Sequence, residues 1–125
     1  MNVLIDSSIW IEHFKKTNEL IPDLITRNLI VTHPLVIAEI ACGIPKNKKI
    51  ILEKMKELNQ TAQATTDEAL ELIEKENLAG QGCGAIDIFL LASAIITNNT
   101  AIWTLDKNLM KLAERFNVLY KPTLH

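Results

Sequence analysis

The sequence is short of the residues that mark several common protein classes. Only two of its 125 residues are cysteine, Cys42 and Cys83, and they lie far apart with no CxxC or histidine partner pattern. Two free thiols in a reducing cytoplasm are the expected state, with a single disulfide between them as the alternative. Positive charge is not in excess: 13 Lys and Arg stand against 15 Asp and Glu, a formal net charge of −2. The chain as a whole therefore lacks the electrostatic signature of a strong nucleic-acid binder. RNA stays open as a substrate, because bound divalent cations and a local basic rim change the field where they sit. Long apolar runs are missing too. The longest, Ile86 to Ile96, is interrupted by Asp87 and Ser93 and is too short and too polar to span a bilayer. The start of the chain has no basic region followed by an apolar stretch, so neither a signal peptide nor membrane attachment is expected. Gly80-Gln81-Gly82-Cys83-Gly84 is not a dinucleotide fingerprint, since it follows an expected helix rather than a strand. It has no Gly-Lys-Ser/Thr either, and reads as a flexible connector. The chain shows no internal repeat, linker or low-complexity tract.

What is present describes an ordinary globular domain. Hydrophobic residues are 48% and charged residues 22%, enough for residues 1–125 to form one domain with its own core. Val3 to Ile5, Leu29 to Thr32 and Ala101 to Leu105 are short apolar runs with β-branched residues and read as strands, with Thr61 to Thr65 and Val118 to Tyr120 as two further short ones. Helices are expected over Ser7 to Lys15, Asn18 to Thr26 (Leu20, Leu24 and Ile25 inward), Pro34 to Gly43, and Lys46 to Leu58 after a break at Pro45. The helices of Pro34 to Gly43 and Lys46 to Leu58 would pair as a two-helix protrusion. Thr65 and Glu68 form a capping box for a helix reaching about Leu78. Ala85 to Thr97, apolar almost all round, reads as a central buried helix, and Lys107 to Phe116 as the last one. Strands alternating with helices imply an α/β fold with a mainly parallel sheet.

Four acids fall at telling places in this pattern. Asp6 and Asp106 each end a strand and begin a helix, which in a parallel sheet puts both at the carboxyl edge where ligands bind. Both positions also suit plain helix caps. Asp87 lies in the first turn of the apolar helix, where a negative charge gains from the helix dipole whether or not it has another task. Glu39 shares a helix face with Leu35, Val36 and Cys42, and a carboxylate buried there is costly unless paired or metal-bound. No Lys or Arg in the core segments is an obvious partner. A divalent cation is the natural partner for converging carboxylates, and hard oxygen donors select Mg²⁺ or Mn²⁺ over zinc. Such a site can activate water and clamp a phosphate. Lys15, Lys16, Lys46, Lys48 and Lys49 would suit an RNA path but read first as a solvated face; Trp10 and Trp103 read as core, and His13 as a surface or partly buried histidine.

Taken together, Val3-Leu4-Ile5-Asp6-Ser7-Ser8-Ile9-Trp10, Val36-Ile37-Ala38-Glu39-Ile40-Ala41-Cys42-Gly43, Ala85-Ile86-Asp87-Ile88-Phe89-Leu90-Leu91-Ala92 and Trp103-Thr104-Leu105-Asp106-Lys107-Asn108-Leu109 resemble the PIN-domain nucleases, nearest the VapC-type ribonuclease toxins of toxin–antitoxin pairs. The resemblance covers nearly the whole chain. It implies a three-layer sandwich with a central sheet of four to five strands, and an acidic cluster of Asp6, Glu39, Asp87 and Asp106 holding Mg²⁺ or Mn²⁺. The implied activity is hydrolysis of RNA phosphodiesters by metal-activated water. Ser8 and Thr104 match positions where the family often has a hydroxyl, and would position the cluster unless they serve only as a cap and a packed strand residue. A cytoplasmic homodimer is implied, with a small antitoxin protein covering apolar surface near the two-helix protrusion and sending a basic side chain toward the acids. A catalytically inactive binding module of the same fold would be favoured by loss of an acid, and none of the four is missing. A receiver-like signalling domain would want adjacent acids after the first strand, where this chain has Ser7 and Ser8.

Overall fold

The sheet grows outward from Asn2–Ile5 (β1), whose Val3, Leu4 and Ile5 side chains are all buried. A strand apolar on both faces needs cover on both faces, which a parallel sheet with helical crossovers supplies. The computed structural model describes residues 1–44 and 46–122, and the break expected at Pro45 lies outside the described residues. Ile30–Thr32 (β2) pairs with β1 on one side, Val3 opposite Ile30 and Leu4 opposite Val31. Thr100–Trp103 (β4) pairs with it on the other, in a register that runs from Asn2 opposite Thr100 to Ile5 opposite Trp103. Asn59–Gln60 (β3) adds to the outer side of β2. All pairings are parallel and the order is β3-β2-β1-β4. From β1 the chain first builds one flank of the sheet and later crosses to the other, so the order reverses between β1 and β4. Ligand crevices open at the carboxyl end of such a reversal.

The helices are Ser7–Lys15 (α1), Leu20–Thr26 (α2), Pro34–Gly43 (α3), Lys48–Lys56 (α4), Thr66–Glu76 (α5), Ala85–Ile96 (α6) and Lys107–Arg115 (α7). Helix α3 packs on both α1 and α4, and α6 packs on both α5 and α7. Right-handed crossovers on either side of β1 place these two groups on opposite faces of the sheet. The result is the α/β sandwich implied by the sequence. Helix α6 carries Ile88, Leu90, Leu91 and Ala94 into the core, with Leu90 and Leu91 fully buried. Burying a side chain of that size is worth about 1.5–3 kcal/mol.

Local chemistry accounts for the ends of the elements. Pro34 opens α3 in its first turn, and His33 caps it by accepting the Leu35 N–H at Nδ1. Burial lowers the pKa of His33, in keeping with an imidazole that must be unprotonated at Nδ1 to act as that cap. The Thr65–Glu68 capping box is made in both directions. Glycine is scarce, and asparagine takes its place in left-handed backbone: Asn28, Asn47, Asn77, Asn99 and Asn117 all have φ between 54° and 59°. Asparagine tolerates this region better than other residues with a Cβ.

Three expectations change. The edge strand is Asn59–Gln60, not Thr61 to Thr65; Thr61 and Ala64 are held instead by the Thr32 carbonyl and the Ser93 hydroxyl. Val118 to Tyr120 forms a bridge to Ile102 rather than a strand, leaving four strands in the sheet among the described residues. Ile25 points outward, 51% exposed, while Ile21 and Leu24 fill the inward face of α2.

Candidate active site

The crevice between β1 and β4 is built around Asp6. Its carboxylate is 4% exposed and accepts three hydrogen bonds, each 2.8 Å: the Ser7 N–H at Oδ1, and the Ser8 and Thr104 hydroxyls at Oδ2. Asp6 is thus both the cap of α1 and a buried anion locked in one orientation. Because Ile5 and Trp103 are in register, Thr104 falls beside Asp6 as β4 ends. The two hydroxyls tie the neighbouring loop down as well. Ser8 Oγ accepts the Leu105 N–H at 3.1 Å, and Thr104 Oγ1 accepts the Asp106 N–H at 3.0 Å.

Asp106 caps α7 with Oδ1, which accepts the Asn108 and Leu109 N–H groups at 2.9 and 3.0 Å. The residue is exposed, and its other oxygen carries no hydrogen bond among the described residues. Glu39 reaches in from α3, half-buried, and accepts the Ser7 hydroxyl at 3.0 Å. Its pKa is raised by burial, against which the Ser7 bond works, and the charge of Asp6 adds to the rise. Asp87 sits in the first turn of α6 with no side-chain hydrogen bond among the described residues. Burial first, then the charges of Asp6, Asp106 and Glu39, push its carboxyl up to about 6. All four acids thus share one electrostatic neighbourhood, graded from buried Asp6 through half-buried Glu39 and Asp87 to exposed Asp106.

Nothing cationic offsets this charge among the described residues. The ion pairs there are Arg27–Asp23, Arg115–Glu76 and Lys121–Glu114, none involving the four acids. No three of the described His, Cys, Asp and Glu side chains stand in ready-made ligand geometry. The donor chemistry nonetheless fits a hard divalent cation: the oxygens are carboxylate, and among the described residues no ion pair offsets their mutual repulsion and one oxygen of Asp106 carries no hydrogen bond. Four cavities of about 100–380 Å³ among the described residues lie away from these acids.

Two residues not singled out from sequence belong to this neighbourhood. Ser7 shares the hydroxyl doublet with Ser8, and only the fold brings it to Glu39. Cys83 lies near enough to Asp87 and Asp106 that burial and those two charges push its thiol up to about 11. The connector that holds it has left-handed backbone at Gly80 and Gly82 and is docked on α7, where Asn108 Nδ2 donates to the Gly82 carbonyl at 3.4 Å. Other candidates resolve as packing or surface. Trp10 and Trp103 are buried, and His13 accepts the Asn18 N–H in the turn after α1. The five lysines are all exposed; Lys15 and Lys46 rim a groove of about 270 Å³ with Ile11, Phe14, Ile44 and Ile51.

The PIN-domain family model matches residues 3–115. Two relatives, both named Ribonuclease VapC32, from Mycobacterium tuberculosis strains CDC 1551 / Oshkosh and ATCC 25618 / H37Rv, are each 36% identical over 107 residues, covering 86% of this chain and 86% of the relative.

Proposed function

The chain belongs to the PIN-domain family, among relatives of the VapC type, and from that premise we propose that it is a Mg²⁺- or Mn²⁺-dependent endoribonuclease, the toxin of a type II toxin–antitoxin pair. The observation that carries this reading is the hydrogen-bonded acidic cluster at the carboxyl edge: Ser7 links Asp6 to Glu39, Thr104 links Asp6 to the Asp106 backbone, and the charges of these three acids, after burial, raise the Asp87 carboxyl. Asp6, Asp87, Glu39 and Asp106 would hold the cation, the first two most directly. When bound it supplies positive charge that activates an attacking water and neutralises charge developing on the phosphodiester. Asp6 contributes rigidity, since its three hydrogen bonds leave it no other orientation. Ser8 and Thr104 hold it and at the same time fix the loop that presents Asp106. Exposed Asp106 marks the side on which an RNA backbone can approach. Protons on Asp87 compete with the cation, so cation binding weakens as pH falls through about 6.

The groove of Ile11, Phe14, Ile44 and Ile51 suits the apolar part of a small antitoxin, beside the α3–α4 pair and on α1, the helix that Asp6 caps. Exposed Leu70, Ile95 and Ile96 on α5 and α6 would be covered in a homodimer. No helix among the described residues is long and apolar enough to cross a membrane, and a cytoplasmic location accompanies the reading.

The test is cleavage of a mixed set of structured RNAs by purified protein with Mg²⁺, with Mn²⁺ and with EDTA, for wild type and Asp6→Asn. Cutting that needs the ion and is abolished in the variant supports the nuclease. No cutting under any condition by a protein that binds no divalent ion leaves a binding module of the same fold.

A further inference from the structure

We propose that Ser7 is a positioning residue of the cation site, acting through Glu39; the inference rests on the acidic-site reading above. The first turn of α1 presents two hydroxyls in sequence, and they diverge. Ser8 turns back to Asp6 Oδ2 at 2.8 Å, while Ser7 crosses to α3 and donates to Glu39 Oε1 at 3.0 Å. The four acids are not held equally. Asp6 accepts three hydrogen bonds and Asp106 two, largely from groups the backbone fixes in place. Glu39 has a longer side chain with more rotamers to lose on ordering. Among the described residues its one hydrogen bond is the one from Ser7. Without that bond, the carboxylate reaching in from α3 keeps no fixed direction. Groups that orient a metal ligand commonly change affinity by about 10–100-fold when removed. Ser7 does not cap α1, a task that falls to Asp6, so its hydroxyl can be removed with the start of the helix intact.

The experiment is calorimetric titration of Mn²⁺ into wild type, Ser7→Ala, Ser7→Thr, Glu39→Gln and the double variant Ser7→Ala/Glu39→Gln. Far-ultraviolet circular dichroism and a thermal midpoint confirm that each is folded. Ser7→Ala is expected to weaken Mn²⁺ binding about tenfold. Ser7→Thr, which keeps the hydroxyl, restores most of the affinity. In the Glu39→Gln background Ser7→Ala changes affinity by less than about twofold, because the group it acts through is already gone. Wild-type affinity in Ser7→Ala, or a loss fully additive to that of Glu39→Gln, overturns the role of Ser7 while the cation site stands. A wild type that binds no Mn²⁺ overturns the site and the role together.

Discussion

Asp87→Asn should make the metal-free protein more stable at neutral pH and less stable, relative to wild type, once a divalent cation is added. The carboxyl is pushed from its ordinary 3.8 to about 6 by burial and three like charges. At about 1.4 kcal/mol per pH unit, that displacement corresponds to about 3 kcal/mol of folded-state penalty once the group is ionised. Asp87 is only half-buried, so solvent screening reduces this to about 1–2 kcal/mol. An acid in the first turn of α6 also gains about 0.5 kcal/mol from the helix dipole, which Asn forgoes. The net expectation is about 1 kcal/mol of stabilisation, or about 4 °C in thermal midpoint for a chain of this length. The pH dependence carries the sign. The folded form holds the Asp87 proton more tightly than the unfolded chain, so this group's stabilising contribution is complete below about pH 3.8 and is lost as pH rises through about 6. Urea unfolding in EDTA across pH 4 to 8 should therefore show wild type losing stability relative to the variant through that interval. Mg²⁺ should raise the wild-type midpoint more than that of Asp87→Asn. An Asn variant less stable than wild type in EDTA at neutral pH, with the same Mg²⁺ response, would refute the idea that the acids repel one another across this edge.

Further outcomes follow from the same geometry. Thr104→Val removes a donor to buried Asp6 and an acceptor for the Asp106 N–H, and should cost about 1–3 kcal/mol in urea unfolding; an unchanged midpoint would mean these bonds are not made in solution. Gly82→Ala places a Cβ at φ +83° and 2.5 Å from Asn108 Nδ2, so the Asn108 side chain must move and the docked connector loosens. About 1–2 kcal/mol of destabilisation is expected, with faster amide exchange over residues 80–84 as the readout. Leu4→Ala, at the centre of the sheet and fully buried, should cost about 2–5 kcal/mol and serves as the yardstick for a pure packing loss.

Much of this was readable from residues alone, and the reasons are local. Val3 to Ile5 and Ala101 to Trp103 are short β-branched runs apolar on both faces, the pattern of parallel strands covered by helices on either side. Asp6, Asp106 and the Thr65–Glu68 box announce helix starts by their own hydrogen bonds. The four acids stood out because carboxylates in apolar settings are rare. What the sequence concealed depends on tertiary contact. The edge strand is the polar pair Asn59–Gln60, which no pattern of alternating burial distinguishes from a turn. Ile25 has the chemistry of a core residue, but α2 is so short that Ile21 and Leu24 complete its buried face. Ser7 looks like any residue of a helix start until α3 packs on α1 and brings Glu39 opposite it. The docking of the connector on Asn108 likewise emerges only when residues 80–84 meet α7 in the fold.

The proposed site places a divalent cation among Asp6, Glu39, Asp87 and Asp106. Its most direct test is the anomalous difference map of crystals soaked in Mn²⁺ and measured near the manganese absorption edge. A peak is expected at the carboxyl edge between β1 and β4, within about 2.0–2.4 Å of oxygens from at least two of the four acids, Asp6 and Asp87 among them. A soaked crystal with no peak there, or with manganese bound only by other residues, would contradict it.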